Sequence, residues 1–352
     1  MRILVTGFAG FIASHFCKYL LQERPDVQII GFGRLSDQNN HKRLEMIPFL
    51  HRDRLKSVWG DLTDANAISG ICEGIDVVVN FAAKTFVDHA LKDRVPFIQS
   101  NIVGADNLME DATRYGVKRF VQISTDEVYG QILTGAYKED AILQPRNPYS
   151  WAKACADLNA IQRHRTYGFP VIITRTENNF GGFQHRQKVL PTFVREALAG
   201  NPLPVYGDGL HVRCWLHVME HCRAIWHLVN YSYEQKKVLG TVPHPYKGDG
   251  HTCLGLVDGI ENRENVLGEV FHVAGEQELT NLELAKIILR TLHKPETQIK
   301  HIEDHNIRPG HDRRYALNCD KLKATGFEIK QDLLAKLEET VLWYKSHQEW
   351  TR

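Results

Sequence analysis

Short apolar runs recur along the first half of the chain and alternate with stretches of helical periodicity. The runs lie at residues 3–5, 28–31, 55–58, 77–80, 120–123 and 171–174. Most of the stretches between them place apolar residues three and four positions apart, which is the spacing of an amphipathic helix. Strands that alternate with helices in this way are typical of a parallel sheet covered on both faces. We therefore predict an α/β fold with a Rossmann-type, doubly wound sheet.

The alternation breaks down after about residue 180. Gly and Pro become frequent between residues 181 and 209, and short helical stretches then surround one further apolar strand at residues 270–273. This change predicts a dinucleotide-binding domain at residues 1–180, to which segments at about 214–232 and 268–276 return. The rest of residues 181–352 is predicted to form a smaller, mixed α/β domain that binds the substrate.

The first strand runs directly into a glycine-rich turn and then into a helix. Gly7 permits the tight turn, Gly10 lets the backbone approach a diphosphate, and Ala13 allows close packing of the helix. The free amides at the start of that helix suit phosphate oxygens. This order of strand, turn and helix predicts a site for NAD or NADP.

Composition narrows the possible partners. The 352 residues carry a formal net charge of +1, which gives no electrostatic reason to expect nucleic acid or a membrane surface as a partner. No apolar run is long enough to span a membrane. Seven scattered cysteines without a CxxC pair suggest reduced thiols in the cytoplasm. His217 and His221 have the spacing of a metal pair, but no further ligand completes a set, so no metal site is predicted.

A polar group follows the fifth strand and a second one lies on the next helix. The first comprises Thr125, Asp126 and Glu127, and the second comprises Tyr149 and Lys153. Tyr149 and Lys153 are four residues apart and share a helix face, where the lysine cation is expected to lower the pKa of the phenol. Such a set can transfer protons beside a nicotinamide, so we interpret the chain as an enzyme. The alternative is that the two carboxylates only cap a strand end.

These motifs resemble the extended short-chain dehydrogenases/reductases, and among them the nucleotide-sugar 4,6-dehydratases typified by dTDP-glucose 4,6-dehydratase. The resemblance covers nearly the whole chain. Its most discriminating parts are the Thr-Asp-Glu run at residues 125–127 and the segment Arg308 to Tyr315. It implies a homodimer that acts on a nucleotide-diphosphate hexose such as dTDP-glucose or UDP-glucose.

The resemblance also implies roles for the polar group. Tyr149 would take the proton of the C4 hydroxyl while the cofactor takes the hydride, and Thr125 would hold that oxygen. Glu127 would then remove the C5 proton, and Asp126 would protonate the departing C6 hydroxyl. Return of the hydride to C6 would yield a 4-keto-6-deoxy sugar nucleotide.

Further positions follow from the same resemblance. For the cofactor, in addition to Tyr149 and Lys153, they are Gly7, Phe8, Gly10, Phe11, Ile12, Arg34, Asp61, Leu62, Ala82, Ala83 and Lys84. For the nucleotide sugar they are Asn179, Lys188, Leu190, Pro204, Val205, Tyr206, Arg213, Arg308, His311 and Tyr315.

The chain departs from the family pattern at three places. The second strand ends without the usual acidic residue and is followed by Arg34, which favours the 2'-phosphate of NADP, although Asp37 could restore an NAD contact. Cys214 stands where an aspartate is usual. Residues 234–265 look like an insertion, and a loop of that length is more often functional or mobile than inert.

Other functions remain open at this stage. A 4-epimerase, a uronate decarboxylase or a 5,6-dehydratase on the same scaffold would keep Tyr149 and Lys153, and the first two would not need both carboxylates. A dinucleotide sensor without catalysis is a further alternative. The nucleotide base and the hexose are not determined by these motifs.

Overall fold

The computed structural model describes residues 1–34, 42–231, 242–243, 252–253, 266–303 and 312–351. Two positions assigned to substrate binding, Arg308 and His311, lie outside the described residues. So do Asp37 and nearly all of the segment 234–265.

Strands β1 to β6 and β12 begin and end close to the positions that the runs predicted, and seven further strands were not predicted. Their bounds are β1 Arg2–Thr6, β2 Gln28–Gly33, β3 Leu55–Trp59, β4 Val77–Asn80, β5 Arg119–Thr125, β6 Val171–Thr176, β7 Asn178–Phe180, β8 Leu203–Tyr206, β9 Val212–His217, β10 Val242–Pro243, β11 Thr252–Cys253, β12 Val270–Val273, β13 Glu278–Thr280 and β14 Ile299–Ile302.

The described α-helices lie between and after these strands. Their bounds are α1 Phe11–Glu23, α2 Ala65–Ile68, α3 Val87–Lys92, α4 Val95–Ile98, α5 Gly104–Arg114, α6 Pro148–Tyr167, α7 Val189–Ala199, α8 Val218–Asn230, α9 Asn281–Thr291, α10 Asp320–Ala324 and α11 Leu333–Ser346.

Seven strands form one parallel sheet in the order β12-β6-β5-β4-β1-β2-β3. Both faces are covered, which explains why the central strands β1, β4, β5 and β6 are buried along nearly their whole length. On one face α1 and α8 contribute Phe16 and Ile225 to a buried cluster, and on the other α5 and α6 contribute Leu108 and Ala156. The predicted α/β fold class is confirmed, including the late strand at residues 270–273, which pairs with β6.

Five of the remaining strands, namely β7, β8, β9, β13 and β14, belong to a smaller part with its own core. β9 lies between β7, which runs parallel to it, and β13, which runs antiparallel. Leu190, Trp215, Leu284 and Tyr344 pack together below this sheet. The smaller part is thus mixed α/β, as predicted, while the boundary at residue 180 stays a prediction.

The order of the strands determines where a ligand can bind. The chain runs from β1 to β2 and β3 on one side and then crosses to β4, β5 and β6 on the other. In such a sheet the crossover opens a crevice at the carboxyl ends of the strands. The glycine-rich turn after β1 and the polar residues after β5 therefore reach the same crevice.

Within the part of the chain that the structure describes, we find no helix with the length and apolar character needed to cross a membrane.

Candidate active site

A cavity of about 650 Å³ opens at the carboxyl ends of the central strands. Its wall includes Gly7 and Gly10 from the first turn, the segment Thr125 to Glu127, and Tyr149 and Lys153 from α6. The structure thus brings the dinucleotide fingerprint and the polar group together, although they are far apart in sequence.

The turn after β1 can be built only with glycine. Gly7 has a φ of 62°, and a Cβ atom on it would lie 3.0 Å from the Cα atom of Ala82. A Cβ atom on Gly10 would lie 2.9 Å from the carbonyl oxygen of Gly7. Gly10 also caps α1, whose first turn has neither an acidic residue nor a side-chain cap. The amides of that turn therefore fit a diphosphate, as a bound dinucleotide requires.

Most of the other predicted cofactor positions also line the cavity, namely Phe11, Ile12, Arg34, Asp61, Leu62, Ala82, Ala83 and Lys84. Asn101 holds the edge formed by Lys84, because its side-chain amide accepts from the Lys84 amide at 2.8 Å and donates to the Lys84 carbonyl at 3.0 Å.

Arg34 and Asp61 meet at the far end of this wall. The Arg34 Nη1 atom lies 3.3 Å from the Asp61 Oδ2 atom, and both side chains are partly exposed. Burial raises the pKa of the Asp61 carboxyl group, but hydrogen bonds from Thr63 and the charge of Arg34 outweigh it, and the pKa is lowered. The cation after β2 is therefore already paired with an anion of the same wall.

Phe8 was assigned to the cofactor site, but its side chain does not line the cavity. Its side chain is fully buried and is not among the residues of the cavity wall. The ring packs against Trp59 at a centroid distance of 5.0 Å and lies over Gly31. The turn directs it into the core because an apolar ring gains more from burial there than from a polar diphosphate site.

Asp126 and Glu127 lie just beyond the end of strand β5. On a continuing strand Asp126 and Glu127 would point to opposite faces of the sheet. Instead β5 ends at Thr125, and a 3₁₀ turn covers Asp126 to Tyr129. Thr125 caps this turn by accepting from the Glu127 amide at 3.3 Å. Both carboxylates consequently lie on the cavity wall.

The two carboxyl groups have unequal surroundings. Burial and the neighbouring Glu127 charge raise the pKa of Asp126 to about 7. Burial also raises the pKa of Glu127, against the opposing effects of Asn147, Lys188 and Arg213. Asp126 therefore carries a proton for much of the time near neutral pH, as a general acid must.

Helix α6 begins at the cavity. Asn147 caps it in a reciprocal arrangement with Ser150, and Pro148 occupies the first turn. The Asn147 side chain also donates to the Glu127 Oε2 atom at 3.0 Å. The helix start is thus tied to one of the two carboxylates, and Tyr149 and Lys153 follow on the buried face.

The pKa of Tyr149 differs from the sequence-based expectation. Burial, followed by the charges of Glu127 and Asp126, raises the pKa of the phenol above its ordinary value, while a hydrogen bond with Thr125 lowers it. Burial lowers the pKa of Lys153 to about 8, and its Nζ atom donates to the Ile123 carbonyl at 2.6 Å. In the protein alone, burial and the charges of the two carboxylates therefore favour the neutral phenol.

The structure places only some of the predicted substrate residues at the cavity. Asn179 and Lys188 line the cavity. Leu190 and Val205 are fully buried in the core of the smaller part, and Pro204 and Tyr206 lie beside Val205 on β8. These last four do not belong to the cavity wall. Buried and half-buried residues alternate along β8, as expected for a strand with one face against the core. Leu190 of α7 packs in the same core.

Arg213 and Tyr315 lie behind the carboxylates and outside the wall. The Arg213 guanidinium stacks over the Tyr315 ring at 4.5 Å and donates to the carbonyls of Val212 and Asp312 at 2.7 and 2.9 Å. The Tyr315 hydroxyl donates to the Asp312 Oδ2 atom at 2.7 Å. Cys214, which replaces the usual aspartate, is buried beside Arg213.

Glu177 is a buried acidic residue of the wall that the sequence analysis missed. Glu177 follows β6 and is 4% exposed. Its Oε1 atom accepts from the Leu317 amide at 2.9 Å, and its Oε2 atom is buried without a hydrogen-bond partner among the described residues. Burial, and next the charge of Asp126, raise its pKa well above the ordinary value. The sequence feature that could have identified Glu177 is its position directly after β6, which corresponds to the position of Asp126 directly after β5.

His217 and His221, at the start of α8, make contacts within the protein. The His221 Nδ1 atom lies 3.0 Å from the Asn179 Oδ1 atom, and His217 caps the helix. Among the described residues no group of three or more His, Cys, Asp or Glu side chains is arranged to hold a metal ion.

Comparison with known proteins shows the family to which the chain belongs. The family model described as GDP-mannose 4,6 dehydratase matches residues 4–340. The dTDP-glucose 4,6-dehydratase of Streptomyces niveus is 38% identical over 99% of this chain and 94% of its own length.

Two solved structures show the same fold with a ligand. DesIV, the dTDP-glucose 4,6-dehydratase from Streptomyces venezuelae with NAD and dTDP bound, is 36% identical with a TM-score of 0.83, over 99% of this chain and 98% of its own. The dTDP-glucose 4,6-dehydratase from Bacillus anthracis in complex with NAD is 36% identical with a TM-score of 0.80 over the same shares.

Proposed function

Because the chain belongs to the GDP-mannose 4,6 dehydratase family, within the extended short-chain dehydrogenases/reductases, we propose that it is an NAD-dependent nucleotide-sugar 4,6-dehydratase. Its substrate in this proposal is dTDP-glucose and its product the dTDP-4-keto-6-deoxy sugar. The observation that carries the proposal is the convergence of Asp126, Glu127 and Tyr149 on one cavity beside the glycine-rich turn.

Each catalytic residue has a separate task in this reaction. A dinucleotide held by Gly7, Gly10, Ala82 and Lys84 would supply a positive charge that favours a Tyr149 phenolate, and would serve as the hydride carrier between C4 and C6. Tyr149 takes the C4 hydroxyl proton, and Thr125 orients that oxygen. The ketone at C4 makes the C5 proton acidic enough for a carboxylate to remove.

The elimination then needs one base and one acid. Glu127 is the base, and the Asn147 amide at 3.0 Å keeps its carboxylate oriented. Asp126 is the acid, because its pKa near 7 leaves a proton to give to the C6 hydroxyl. The two carboxyl groups have different surroundings and thus act as base and acid, respectively.

A 4-epimerase or a uronate decarboxylase is the second candidate. Either would use Tyr149 and Lys153, which the cavity also contains. Neither has a task for an acid and a base on the same 3₁₀ turn, whereas a dehydratase needs both. A sensor without catalysis would not need the polar group at all.

The screen that tests the proposal uses the purified protein and several nucleotide sugars. We expect dTDP-glucose to lose one water by mass spectrometry and to give a product that absorbs in alkali. UDP-glucose, GDP-mannose and UDP-glucuronate are the comparison substrates. An isomer of unchanged mass would indicate an epimerase, loss of carbon dioxide a decarboxylase, and cofactor binding without turnover a sensor.

The cofactor in our proposal is NAD. The sequence favoured NADP because Arg34 follows β2, but the contact with Asp61 at 3.3 Å partly neutralises that cation. The 2'-phosphate of NADP would have to compete with this carboxylate. The wall residues Gly7, Gly10, Ala82 and Lys84 would hold the rest of either dinucleotide.

We expect denatured wild-type protein to release NAD, and Arg34→Ala to retain NAD with at most about a threefold change in affinity, since exposed ion pairs contribute little. Calorimetric titration of the stripped protein with NAD and NADP measures this. Exposed Arg114→Ala is the control. Release of NADP, or loss of the cofactor in Arg34→Ala alone, would assign the arginine to a 2'-phosphate.

For the nucleotide sugar we propose contacts from Asn179 and Lys188, which line the cavity. Arg213 and Tyr315 are proposed to act from behind the carboxylates, since Arg213 opposes the pKa rise of Asp126 and of Glu127. Arg308 remains a proposed diphosphate ligand because a guanidinium binds phosphate oxygens bidentately. The same holds by resemblance for His311.

Glu177 should reveal its protonation through the pH dependence of stability. A pKa raised above the unfolded value of 4.5 means that the folded state holds a proton that the unfolded state releases. Its contribution to the free energy of unfolding is therefore present at low pH and is lost as pH rises through the folded pKa. Glu177→Gln has no such slope, so its stability should gain on that of the wild type as pH rises.

Urea unfolding between about pH 5 and pH 8 measures this difference. Glu177→Leu is the comparison variant: it leaves the Leu317 amide without its acceptor and should be less stable than Glu177→Gln by about 1–3 kcal/mol at every pH. A constant difference between wild type and Glu177→Gln would mean that the carboxyl group is ionised throughout.

A homodimer is the proposed assembly. The helix α6 exposes Trp151 (43%) and Leu158 (55%), which are seven residues apart and so share one face. Val103, just before α5, is 44% exposed. We expect sedimentation velocity to show a dimer, and Trp151→Glu with Leu158→Glu to shift it to the monomer. An unchanged dimer in that variant would place the interface elsewhere.

A cytoplasmic location is proposed as well. It is supported by the six cysteines of the described side chains, none of which is in a disulfide.

A further inference from the structure

The proposed elimination needs one carboxylate and one carboxylic acid, and Asp126 and Glu127 are neighbours on the same 3₁₀ turn. Both line the cavity, so a further feature of the protein has to determine which of them carries the proton. This inference rests on the proposed function, because only the elimination requires the two groups to differ. The hydrogen-bond donors that reach each carboxyl group supply the difference.

The two carboxyl groups receive hydrogen bonds from different kinds of donor. The Thr125 hydroxyl donates to the Asp126 Oδ1 atom at 2.9 Å, and the Asn147 side-chain amide donates to the Glu127 Oε2 atom at 3.0 Å. A hydroxyl can also accept, so it suits Asp126 with or without a proton. An amide N–H group can only donate, and its bond to a carboxylate is stronger than its bond to a neutral carboxyl group. Asn147 therefore favours the ionised form of Glu127.

The cap of helix α6 fixes which end of the Asn147 side chain faces Glu127. The Asn147 Oδ1 atom accepts from the Ser150 backbone amide at 2.9 Å, and the Asn147 backbone amide donates to the Ser150 hydroxyl at 3.2 Å. Rotation of the side-chain amide by half a turn would place its NH₂ group against the Ser150 N–H group, and both contacts would be lost. Asn147 is 8% exposed and Ser150 is fully buried, so solvent does not replace these contacts. The side chain thus presents only its donor to Glu127.

The remaining oxygen of each carboxyl group suits a different role. The Glu127 Oε1 atom has no hydrogen-bond partner among the described residues, and Glu127 lines the cavity, so this oxygen is available for the C5 proton. The Asp126 Oδ2 atom is buried and likewise has no partner in the described part of the chain. A negative charge beside such an atom is costly, which favours a proton on Asp126.

Several charged groups also face Glu127, but in the described structure Asn147 alone hydrogen-bonds with its carboxylate. Burial raises the pKa of Glu127. The largest opposing effect is the hydrogen bond from Asn147, followed by the charges of Lys188 and Arg213, whereas the charge of Asp312 raises the pKa. The other titratable groups close to Glu127 are Asp126, Tyr149 and Tyr315.

We propose that Asn147 determines which carboxyl group is the base, because its amide holds Glu127 as the carboxylate and so leaves the proton on Asp126. The C5–H bond then breaks as an O–H bond forms on Glu127, and its electron pair forms the C5–C6 double bond. The C6–O bond breaks as the Asp126 proton completes a molecule of water. Asn147 is not among the residues of the cavity wall, so it is a positioning residue that acts through Glu127.

The test uses Asn147→Ser, because serine caps a helix about as well as asparagine but has no amide donor for Glu127. With dTDP-glucose, reduction of the cofactor in stopped-flow experiments should keep the wild-type rate. Formation of the dehydrated product should slow by about 10- to 100-fold, the loss expected for one hydrogen bond to a charged group. Deuterium at C5 of the substrate should slow this variant more than the wild type, since removal of the C5 proton then limits the rate.

The pH profile distinguishes this role from a structural one. In the wild type kcat should rise with pH as Glu127 ionises and fall through about 7 as Asp126 loses its proton. Loss of the amide donor raises the pKa of Glu127, so the rising limb of Asn147→Ser should lie at higher pH while the falling limb stays in place. Asn147→Asp keeps the cap and adds a negative charge beside Glu127, so it should move the rising limb further.

Asp332→Ser is the control, because exposed Asp332 caps α11 far from the catalytic turn in sequence and outside the cavity wall. It should keep the wild-type rate, isotope effect and pH profile. Equal slowing of cofactor reduction and product formation in Asn147→Ser, with the isotope effect and both limbs unchanged, would overturn the proposal and leave Asn147 as a helix cap.

Circular dichroism and cofactor content establish that each variant is folded. Should Asn147→Ser fail to fold, the nearly isosteric Asn147→Asp supplies the same comparison, and an unmoved rising limb in that variant would equally overturn the proposal. Absence of dehydrated product from the wild type would instead contradict the proposed function.

Discussion

Tyr149→Phe should lower kcat for dehydration of dTDP-glucose by about 10²–10⁴-fold, which is the range for loss of a general base. The phenol is the group that takes the C4 proton, and without the C4 ketone neither carboxylate can act. The variant should therefore show no reduced cofactor after mixing with substrate. Stopped-flow absorbance of the cofactor and mass spectrometry of the product measure both effects.

Tyr167→Phe is the matched control, because Tyr167 lies at the far end of the same helix and is 68% exposed. It should retain wild-type activity. Normal cofactor reduction in Tyr149→Phe would show that another group removes the C4 proton, and the catalytic assignment would then fail at its first step.

Asp126→Asn should leave the first step, oxidation at C4, intact and slow the second step, the elimination of water. Asparagine keeps the size and the Thr125 contact but has no acidic proton, so C4 oxidation should persist while water loss slows by about 10²–10⁴-fold. Reduced cofactor should then accumulate during the reaction. In heavy water the recovered substrate should gain deuterium at C5, because Glu127 can still exchange that proton once C4 is a ketone.

Exposed Asp140→Asn, on the loop that follows, serves as the control and should behave as the wild type. In the wild type the same acid should make kcat fall as pH rises through about 7, since burial raises the pKa of Asp126 to that value and only the protonated form can act. Unchanged turnover in Asp126→Asn would remove Asp126 from the mechanism.

The strands were predictable because a parallel sheet buried on both faces needs continuous apolar runs, and each such run in this chain is a strand. The glycine-rich turn was predictable for a similar local reason, since the backbone of Gly7 has a positive φ that favours glycine. The pair Tyr149 and Lys153 follows from helical spacing. In each of these cases neighbouring residues suffice.

Other properties depended on residues that are distant in sequence. Phe8 belongs to the best motif of the chain, yet its ring lies in the core against Trp59. Arg34 by itself favoured NADP, and its contact with Asp61, 27 residues later, could not be predicted from the residues around it. Glu177 follows its strand as Asp126 does, but only the Leu317 amide and the shared cavity show that it belongs to the site.

The sequence by itself determined the fold class, the place of the dinucleotide turn and the identity of the polar group, since these depend on local spacing and backbone sterics. The tertiary structure determined which charged side chains lie next to each other. These neighbours influence the protonation state of each ionisable group. The 3₁₀ turn after Thr125 aims both carboxylates at one cavity, and burial there raises the pKa of Asp126 and of Tyr149. Desolvation depends on everything packed around a group, so no local pattern encodes it.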